Sequence, residues 1–476
     1  MKKLYLIALL FFVLSSVKSQ DTQYWTQQFG TRSALMSGAV IASSRDNSSL
    51  FYSPGSLGWI DTASLSINAT AYQSENIKIK NALGRQADLK SNQIGSTPLL
   101  IGGMIRTHSE KTRIAYGLIT PTNFSFKAIG RAQGEFPLID DSESPGNEPA
   151  IAQASIQTKL SELGAGIGIG RKISSSFGVG ITGMFIARSL DYNNNRLVRL
   201  YMNQPSMPLV TATLIQNVDY FNVRFAPRIG LGYEKGNWQA GLTITSPSVN
   251  LFGTGNIGFD ATATNIKPPS ENSRIDFVAN DRQEKLKSTY KSPFSIAGGI
   301  GYSHQRSHIE MAVQYYGKID MYSIINADSS AFARPANVYP ELTSDKYLRV
   351  LTAARPVFNV ALAYEYRLKQ NLLMYLSCRS DQTFFDKAIT RQTGIKPDIS
   401  SWNIYHLVAG TTWQKGKSGI SIGLTAAFGA DKHREETGDI DGGNESNFFT
   451  NSLTVTEAKY SNIGLLIGYT YHFSKF

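Results

Sequence analysis

Apolar and polar residues alternate with a period of two along most of this chain, from 64–72 through to 463–473. Successive side chains of a strand point to opposite faces, so the alternation marks a sheet with one apolar and one wetter surface. Between those two segments the pattern returns in pairs: 99–106 with 113–119, 163–170 with 177–188, 221–233 with 238–245, 294–302 with 309–316, 358–366 with 372–379, and 405–413 with 420–428. Each pair closes on a short polar turn, at 108–111, 172–176, 234–237, 304–307, 367–370 and 414–418. Six hairpins with an opening and a closing strand make 14 strands. The connectors between hairpins are long instead: 73–96, 121–153, 192–217, 247–292, 321–355, 384–401 and 430–458. An even strand number, with short turns at one end and long loops at the other, is the pattern of a transmembrane β-barrel. The expected fold is therefore all-β, a 14-stranded antiparallel barrel.

Faces follow from the same parity. Ile309, Met311, Val313 and Tyr315 are predicted to face lipid, leaving Glu310, Ala312, Gln314 and Tyr316 inside. Phe358, Val360, Leu362, Tyr364 and Tyr366 do the same, as do Ile463, Leu465, Ile467, Tyr469, Tyr471 and Phe473. Phe476 has the opposite parity to Phe473, which requires either a terminal bulge or Phe473 as the aromatic end of the last strand. A soluble β-sandwich would have to bury these faces against one another and would not place seven long loops at one end. The inward side is rich in glycine, at 164, 166, 168, 170, 178, 180, 230, 232, 464 and 468. Glycine weakens a strand and often marks close backbone approach, so the lumen is expected to make room for something. Pro227 removes a ladder donor, and a bulge or local gap is expected there.

The stretch 32–59 breaks the β pattern. It has small residues with helical texture from Ala34 to Ser43, then Asp46-Asn47, an aromatic pair and a Ser53-Pro54-Gly55 turn. Asp46 is placed to cap a short helix over 48–52, and Pro54 to end it. Ahead of it, Lys2-Lys3, an apolar run at 4–13 and small residues at −3 and −1 of a cleavage point predict a signal peptide over 1–19. That run is too short to span a bilayer as an anchor helix. The predicted divisions are thus 1–19 signal peptide, 20–62 N-terminal hatch and 63–476 barrel.

Composition changes the picture only in part. The formal charge of +11 falls by three, to +8, when Lys2, Lys3 and Lys18 leave with the signal. The basic residues are scattered through turns and loops, some within reach of lipid phosphates, and no cluster calls for nucleic acid. Cys378 is the one cysteine, so no intramolecular disulfide or cysteine-based metal site can form. With 23 Tyr and 24 Phe, the chain has rings enough for interfacial girdles.

Catalytic chemistry is not visible. His108, His304 and His308 fall at turns, His433 in a loop and His472 at the end of the last strand, while His406 points inward without an evident acid partner. Glu135, Asp140, Asp141 and Glu143 read as a solvated charged face more than as a divalent site. No phosphate loop, metalloprotease motif or nucleophile elbow is present, and no cofactor, metal or enzyme activity is expected.

The order of small-residue stretch (34–43), Asp46-Asn47, Phe51-Tyr52-Ser53-Pro54-Gly55 and first strand resembles the hatch of the FadL/TodX-type outer-membrane transporters of hydrophobic compounds. In that family the turn is Asn-Pro-Ala, so Ser53 and Gly55 depart from it; the 14 strands agree. The resemblance implies a bacterial outer-membrane channel for passive uptake of fatty acids or aromatic compounds. It implies capture by external loops, an inner pocket, and release by hatch movement or sideways through the wall. Outer-membrane lipid and lipopolysaccharide would surround it. On apolarity, Phe124, Phe126 and Phe136 in the 121–153 loop are the candidate capture surface, and Tyr24, Trp25 and Phe29 the candidate pocket lining. Asp46, Asn47, Phe51, Tyr52, Ser53, Pro54 and Gly55 are the candidate gate; a segment that merely seals the barrel is the alternative. The rivals are a porin for polar solutes, a haem-uptake variant resting on His433, and a structural partner in protein secretion or surface assembly.

Overall fold

Period-two alternation becomes strand wherever the outer face is apolar and the inner face small or polar. The computed structural model describes residues 21–475 apart from Gln86, Arg106, His108, Glu110, 269–271, 330–342, 437–439, Ser446 and 450–453; the predicted signal peptide and Phe476 lie outside the described residues. In chain order the strands are β1 (Thr62–Ile79), β2 (Leu89–Ile105), β3 (Thr112–Ile119), β4 (Asn123–Phe136), β5 (Glu148–Lys172), β6 (Phe177–Tyr201) and β7 (Leu209–Lys235). Then come β8 (Trp238–Thr245), β9 (Val249–Ile266), β10 (Ile275–Lys287), β11 (Ser295–His304) and β12 (Ser307–Tyr316). A separate two-stranded sheet of β13 (Ile319–Ile325) and β14 (Val350–Ala354) precedes β15 (Val357–Lys369), β16 (Leu372–Asp381), β17 (Asn403–Lys415), β18 (Ser418–Glu436) and β19 (Thr454–Lys475).

β3 with β4, β8 with β9, and β10 with β11 are bent halves of single wall strands. The two halves lie against successive stretches of one neighbouring wall strand: β5 for β3 and β4, β7 for β8 and β9, and β9 with β8 for β10 and β11. Counted so, the wall is a closed antiparallel barrel of 14 strands, β19 pairing with both β18 and β1. All 14 expected strands are present, and most run further than their alternation. Connector 73–96 is mostly ladder, Ile79 pairing with Leu89, and connector 192–217 is likewise ladder up to Tyr201↔Leu209. The loops are shorter than read because polar residues continue the strands beyond their apolar part, where water touches one face and the pattern weakens.

The outward face is apolar and exposed all round, from Ile67, Ile167 and Ile229 to Ile309, Leu362 and Ile467. Glu310, Ala312, Ala361 and Ala363 are buried on the inner side, as parity predicted. Near the end of β19 one extra residue enters, because Thr62 pairs with Lys475 but Ser64 with His472. That bulge accounts for the parity change ahead of the C-terminus. Pro227 causes none on the β6 side, where Gly183↔Pro227 lies in unbroken register. Its carbonyl accepts from Ser246 N, placing its missing donor opposite the bend between β8 and β9.

The larger interruption lies between β2 and β4. The β2–β3 ladder climbs from Ile105↔Ile114 to Leu100↔Ile119 and ends; above it β4 pairs with β5. Among the described residues, the bond recorded from β4 to β2 is Lys127 N to Ser91 Oγ, 3.1 Å. The buried side switches from odd residues in β3 (Ala115, Ile119) to even residues in β4 (Phe124, Phe126) across Thr120-Pro121-Thr122. Both Leu99 and Leu100 are buried at the same level of β2. Two neighbouring strands thus shift together, and Pro121 supplies no amide to close the seam.

Candidate functional site

Residues 21–60 run along the inner faces of the barrel strands. Only two short helices form, α1 (Thr31–Leu35) and α2 (Ser49–Tyr52), followed by a 3-10 turn over Pro54–Trp59. The helical texture read over 34–43 therefore ends at Leu35. Ser37 and Gly38 have φ of 52° and 80°, and this left-handed pair turns the chain along the wall. A segment with so little helix has many carbonyls to satisfy, and wall side chains supply the donors. Arg379 Nε donates to Trp25 O (3.0 Å), Ser377 Oγ to Leu35 O (2.8 Å), Thr182 Oγ1 to Leu50 O (3.0 Å), Thr243 Oγ1 to Tyr52 O (2.7 Å) and Arg113 Nε to Ile60 O (2.8 Å). Arg228 donates to Phe51 O.

Charge holds it as well. Arg32 Nε lies 2.6 Å from Glu365 Oε2, and Glu310 accepts from Ala42 N at 2.7 Å and from Ser43 Oγ. The inner glycines make the space. A Cβ at Gly230 would lie 2.7 Å from Pro54 Cδ, one at Gly170 2.5 Å from Leu57 Cβ, and one at Gly168 2.6 Å from Leu50 Cδ1. The glycine rows thus meet the N-terminal segment, where real Cβ atoms would not fit.

The motif residues each have a place. Asp46 accepts from Ser48 N at 2.9 Å and from Ser48 Oγ, but Ser48 is the N-cap of α2 and no side chain caps the helix, so the expected Asp46 cap does not form. Asn47 is buried, and its amide spans Ser64 and Gly102 on β1 and β2. Phe51 packs under Gly117 and Gly166. Tyr52 Oη accepts from Phe29 N at 2.8 Å and donates to Gln28 Oε1 at 2.9 Å. Ser53 Oγ meets Ser56 Oγ, Pro54 opens the 3-10 turn, and Gly55 lies on the backbone of Gly230 to Gly232.

The aromatic residues singled out from sequence do not share one pocket. Phe124, Phe126 and Phe136 lie on β4, the first two fully buried in the large upper apolar cluster, so 121–153 is not an open capture loop. Tyr24 stacks between Tyr316 and Phe384 at 4.2 and 4.5 Å, and Trp25 Nε1 donates to Gln314 Oε1 at 2.6 Å. Phe29 packs with Phe51, 5.8 Å between centroids.

The cavity of this region, about 40 Å³, lies beside residues 26–28 instead. Arg379, His406, Asn462, Gln27 and Gln28 make its polar side; Leu99, Val408, Ala427 and Leu466 make its apolar side. His406 has company that the sequence did not reveal. Its Nδ1 is 3.1 Å from Arg379 Nη2, and its Nε2 is 3.9 Å from Asp381 Oδ2. Only the register β16–β17, which sets Arg379 opposite His406, brings them together. Beneath the seam between β2 and β4, Glu162 Oε1 joins Arg188 (2.9 Å) and Arg224 (2.7 Å), and its amide donates to Thr122 O at 2.7 Å. Of the acids of 135–143, Glu143 is paired with Lys267 and Arg274, whose hydrogen bonds, the Lys267 one first, hold its carboxyl below the usual range.

A bent 14-strand wall around its own N-terminal segment can be compared with known proteins. No family model and no curated protein matches the sequence. Among solved structures, a FadL homologue of Pseudomonas aeruginosa superposes with a TM-score of 0.60 over 96% of this chain and 100% of its own, at 11% identity. The fold is FadL-type. The toluene transporter TodX of Pseudomonas putida gives a TM-score of 0.56 at 14% identity over 94% of this chain and 100% of that one. The toluene transporter TbuX of Ralstonia pickettii gives 0.54 at 12% identity over 94% and 99%. The FadL-type fold here spans nearly the whole chain.

Proposed function

We propose that this protein is a bacterial outer-membrane channel for passive uptake of hydrophobic small molecules. Exported with a cleaved signal peptide, it spans the membrane with its strands and carries residues 20–62 as a hatch. The observation that carries the reading is the seam between β2 and β4. The lumen is occupied by the chain's own segment, so water and sugars have no open path, whereas the stretch where β2 and β4 form no ladder offers a lateral one. Outer-face residues such as Ile101, Leu118 and Ile167 form the lipid-contacting belt near that seam. The solved proteins of like fold that carry toluene support the same substrate class.

The test uses the mature chain in liposomes. Toluene should enter protein-bearing vesicles faster than empty ones, while glucose and sucrose stay out. Free passage of sugars through the intact protein would make it a porin and sink this reading. Equal toluene flux with and without protein would do the same.

A further inference from the structure

The outer surface of β19, β1 and β2 changes character in three rows. Ile463, Ser74 and Ile94 stand side by side in register at the edge of the apolar belt. Ser461, Asn76 and Asn92 follow, and then Lys459, Lys78 and Lys90. These side chains point outward, since the residues that alternate with them, such as Ile77, Ile79, Ser91 and Tyr460, are buried. Lys127 on β4 extends the lysine row across the seam: its amide donates to Ser91 Oγ, beside Lys90, and it is exposed. Lys80 stands on the same face of β1, next along from Lys78.

Like charges directly opposite one another destabilise a sheet unless something negative lies between them. Among the described residues the chain supplies only part of that. Asp88 Oδ2 is 2.7 Å from Lys78 Nζ and 3.9 Å from Lys90 Nζ, and Glu457 is 2.5 Å from Lys80 and 3.3 Å from Lys459. Arg85 in the turn between β1 and β2 is matched by Asp441. The lysines outnumber the two carboxylates, and both acids stand beyond the row, away from the apolar belt. The side of the ammonium groups turned to the belt is therefore left positive. From Ile463 to Lys459 the strand runs about 13 Å, which barrel tilt makes about 10 Å of height. That is the level of lipid headgroups, and a lysine stem reaches back over the difference.

We infer that this row is a docking surface for a phosphorylated glycolipid of the outer leaflet, one with phosphates at both ends of its sugar headgroup. The acyl chains lie against Ile94 and Ile463, which are 68% and 63% exposed. The sugar meets the Ser461–Asn76–Asn92 row, and the phosphates take the lysines. Across four strands the lysines span about 14 Å, more than one phosphate can cover, so a lipid with a single phosphate engages one end only. The inference rests on the outer-membrane placement proposed above, which supplies the lipid, and adds a partner on the outside of the wall.

Native mass spectrometry on the full mature chain in detergent tests it, with bisphosphorylated lipid A, dephosphorylated lipid A and phosphatidylglycerol as probes. The bisphosphorylated lipid should bind about tenfold or more tighter than either of the others. Lys78→Gln with Lys90→Gln and Lys459→Gln should weaken it about a hundredfold, each lysine beside an anionic headgroup being worth about fivefold. Lys111→Gln with Lys235→Gln and Lys417→Gln, at the short turns of the opposite end, should leave it bound; an equal loss there would mean diffuse charge instead of a site and overturn the inference. Should the first triple variant fail the heat-dependent gel shift of folded barrels, Lys90→Gln with Lys127→Gln reads the same loss from the other edge of the row. Equal binding of the three lipids by the wild type overturns the inference, while toluene entry into vesicles keeps the uptake reading. A chain that prefers the bisphosphorylated lipid but carries no toluene supports the docking surface and removes the uptake reading.

Discussion

Asn47 joins two strands to the N-terminal segment through one amide. Its Nδ2 donates to Gly102 O at 2.8 Å and Ser64 O at 3.2 Å, and its Oδ1 accepts from Ser64 Oγ at 3.0 Å. Asn47→Leu keeps the volume and strands these partners in a buried site, at about 1 kcal/mol or more for each. We expect a loss of about 2–3 kcal/mol, read as a lower denaturant midpoint in detergent; an unchanged midpoint would show the amide to be idle. Asp398 provides a second residue-scale test. Burial, and then the neighbouring Asp21, push its carboxyl up to about 7. Asp21 is itself raised by burial while accepting from Ile399 N and Ser400 N. A raised pKa means that the docked form binds protons more readily than the released one. The stabilisation is therefore full below the ordinary carboxyl range and lost as pH rises through about 7. Hydrogen exchange at residues 22–28, corrected for intrinsic rate, should quicken between pH 6 and 8, and Asp398→Asn should flatten the change. Asn47 and Pro54 stood out in the sequence because their types are unusual before a first strand. Asp398 and Arg379 did not, since each meets its neighbour, Asp21 and Trp25, hundreds of residues away.

At the scale of elements, the segment and its wall are joined by many small contacts, and one pair is suited to a covalent test. Ser37 Oγ and Ser377 Oγ are 2.8 Å apart, close enough for cysteines to bond. In a Cys378→Ser background, Ser37→Cys with Ser377→Cys should cross-link on oxidation. Toluene uptake that stops when oxidised and returns on reduction would show that the segment must move; uptake that continues would assign passage to the seam between β2 and β4. Strand cores were legible because lipid-sized apolar faces alternate with small inner residues. Their polar extensions were not, because Asn, Gln and Thr ladders such as Asn193 beside Asn217 carry no apolar period. The 34–43 stretch misled for a related reason. Small residues permit a helix, but here Leu35 inserts over Gly410 and Gly423 and Ile41 over Gly299, so wall contact decides the path.

For the whole molecule, alternation and turn lengths read the strand number and the disposition of loops, and inner glycines read the occupied lumen. The seam was not legible, for it depends on a shift shared by β2 and β4 that neither strand shows alone. Removal of residues 20–60 gives the matching prediction. The barrel would keep its hydrogen-bonded circuit but lose the partner of most inner glycines, so vesicles should become leaky to sucrose and the thermal midpoint should fall. Sucrose exclusion by that deletion would mean that the wall closes without its filling.

The continuity of the segment with β1 has a consequence for assembly. β1 must also pair with β19, whose residues come last in the chain, as in Ile67↔Tyr469. Once that final ladder zips, no opening wide enough for residues 21–60, with Trp25 and α1 folded, remains at the β1 end. The segment must therefore be laid against β5–β7 before the ring shuts. Closing so long a loop is the slowest event for such a topology. A chain held at that stage, with residues 21–60 already seated and its last strand still free, is the intermediate on which insertion machinery would act.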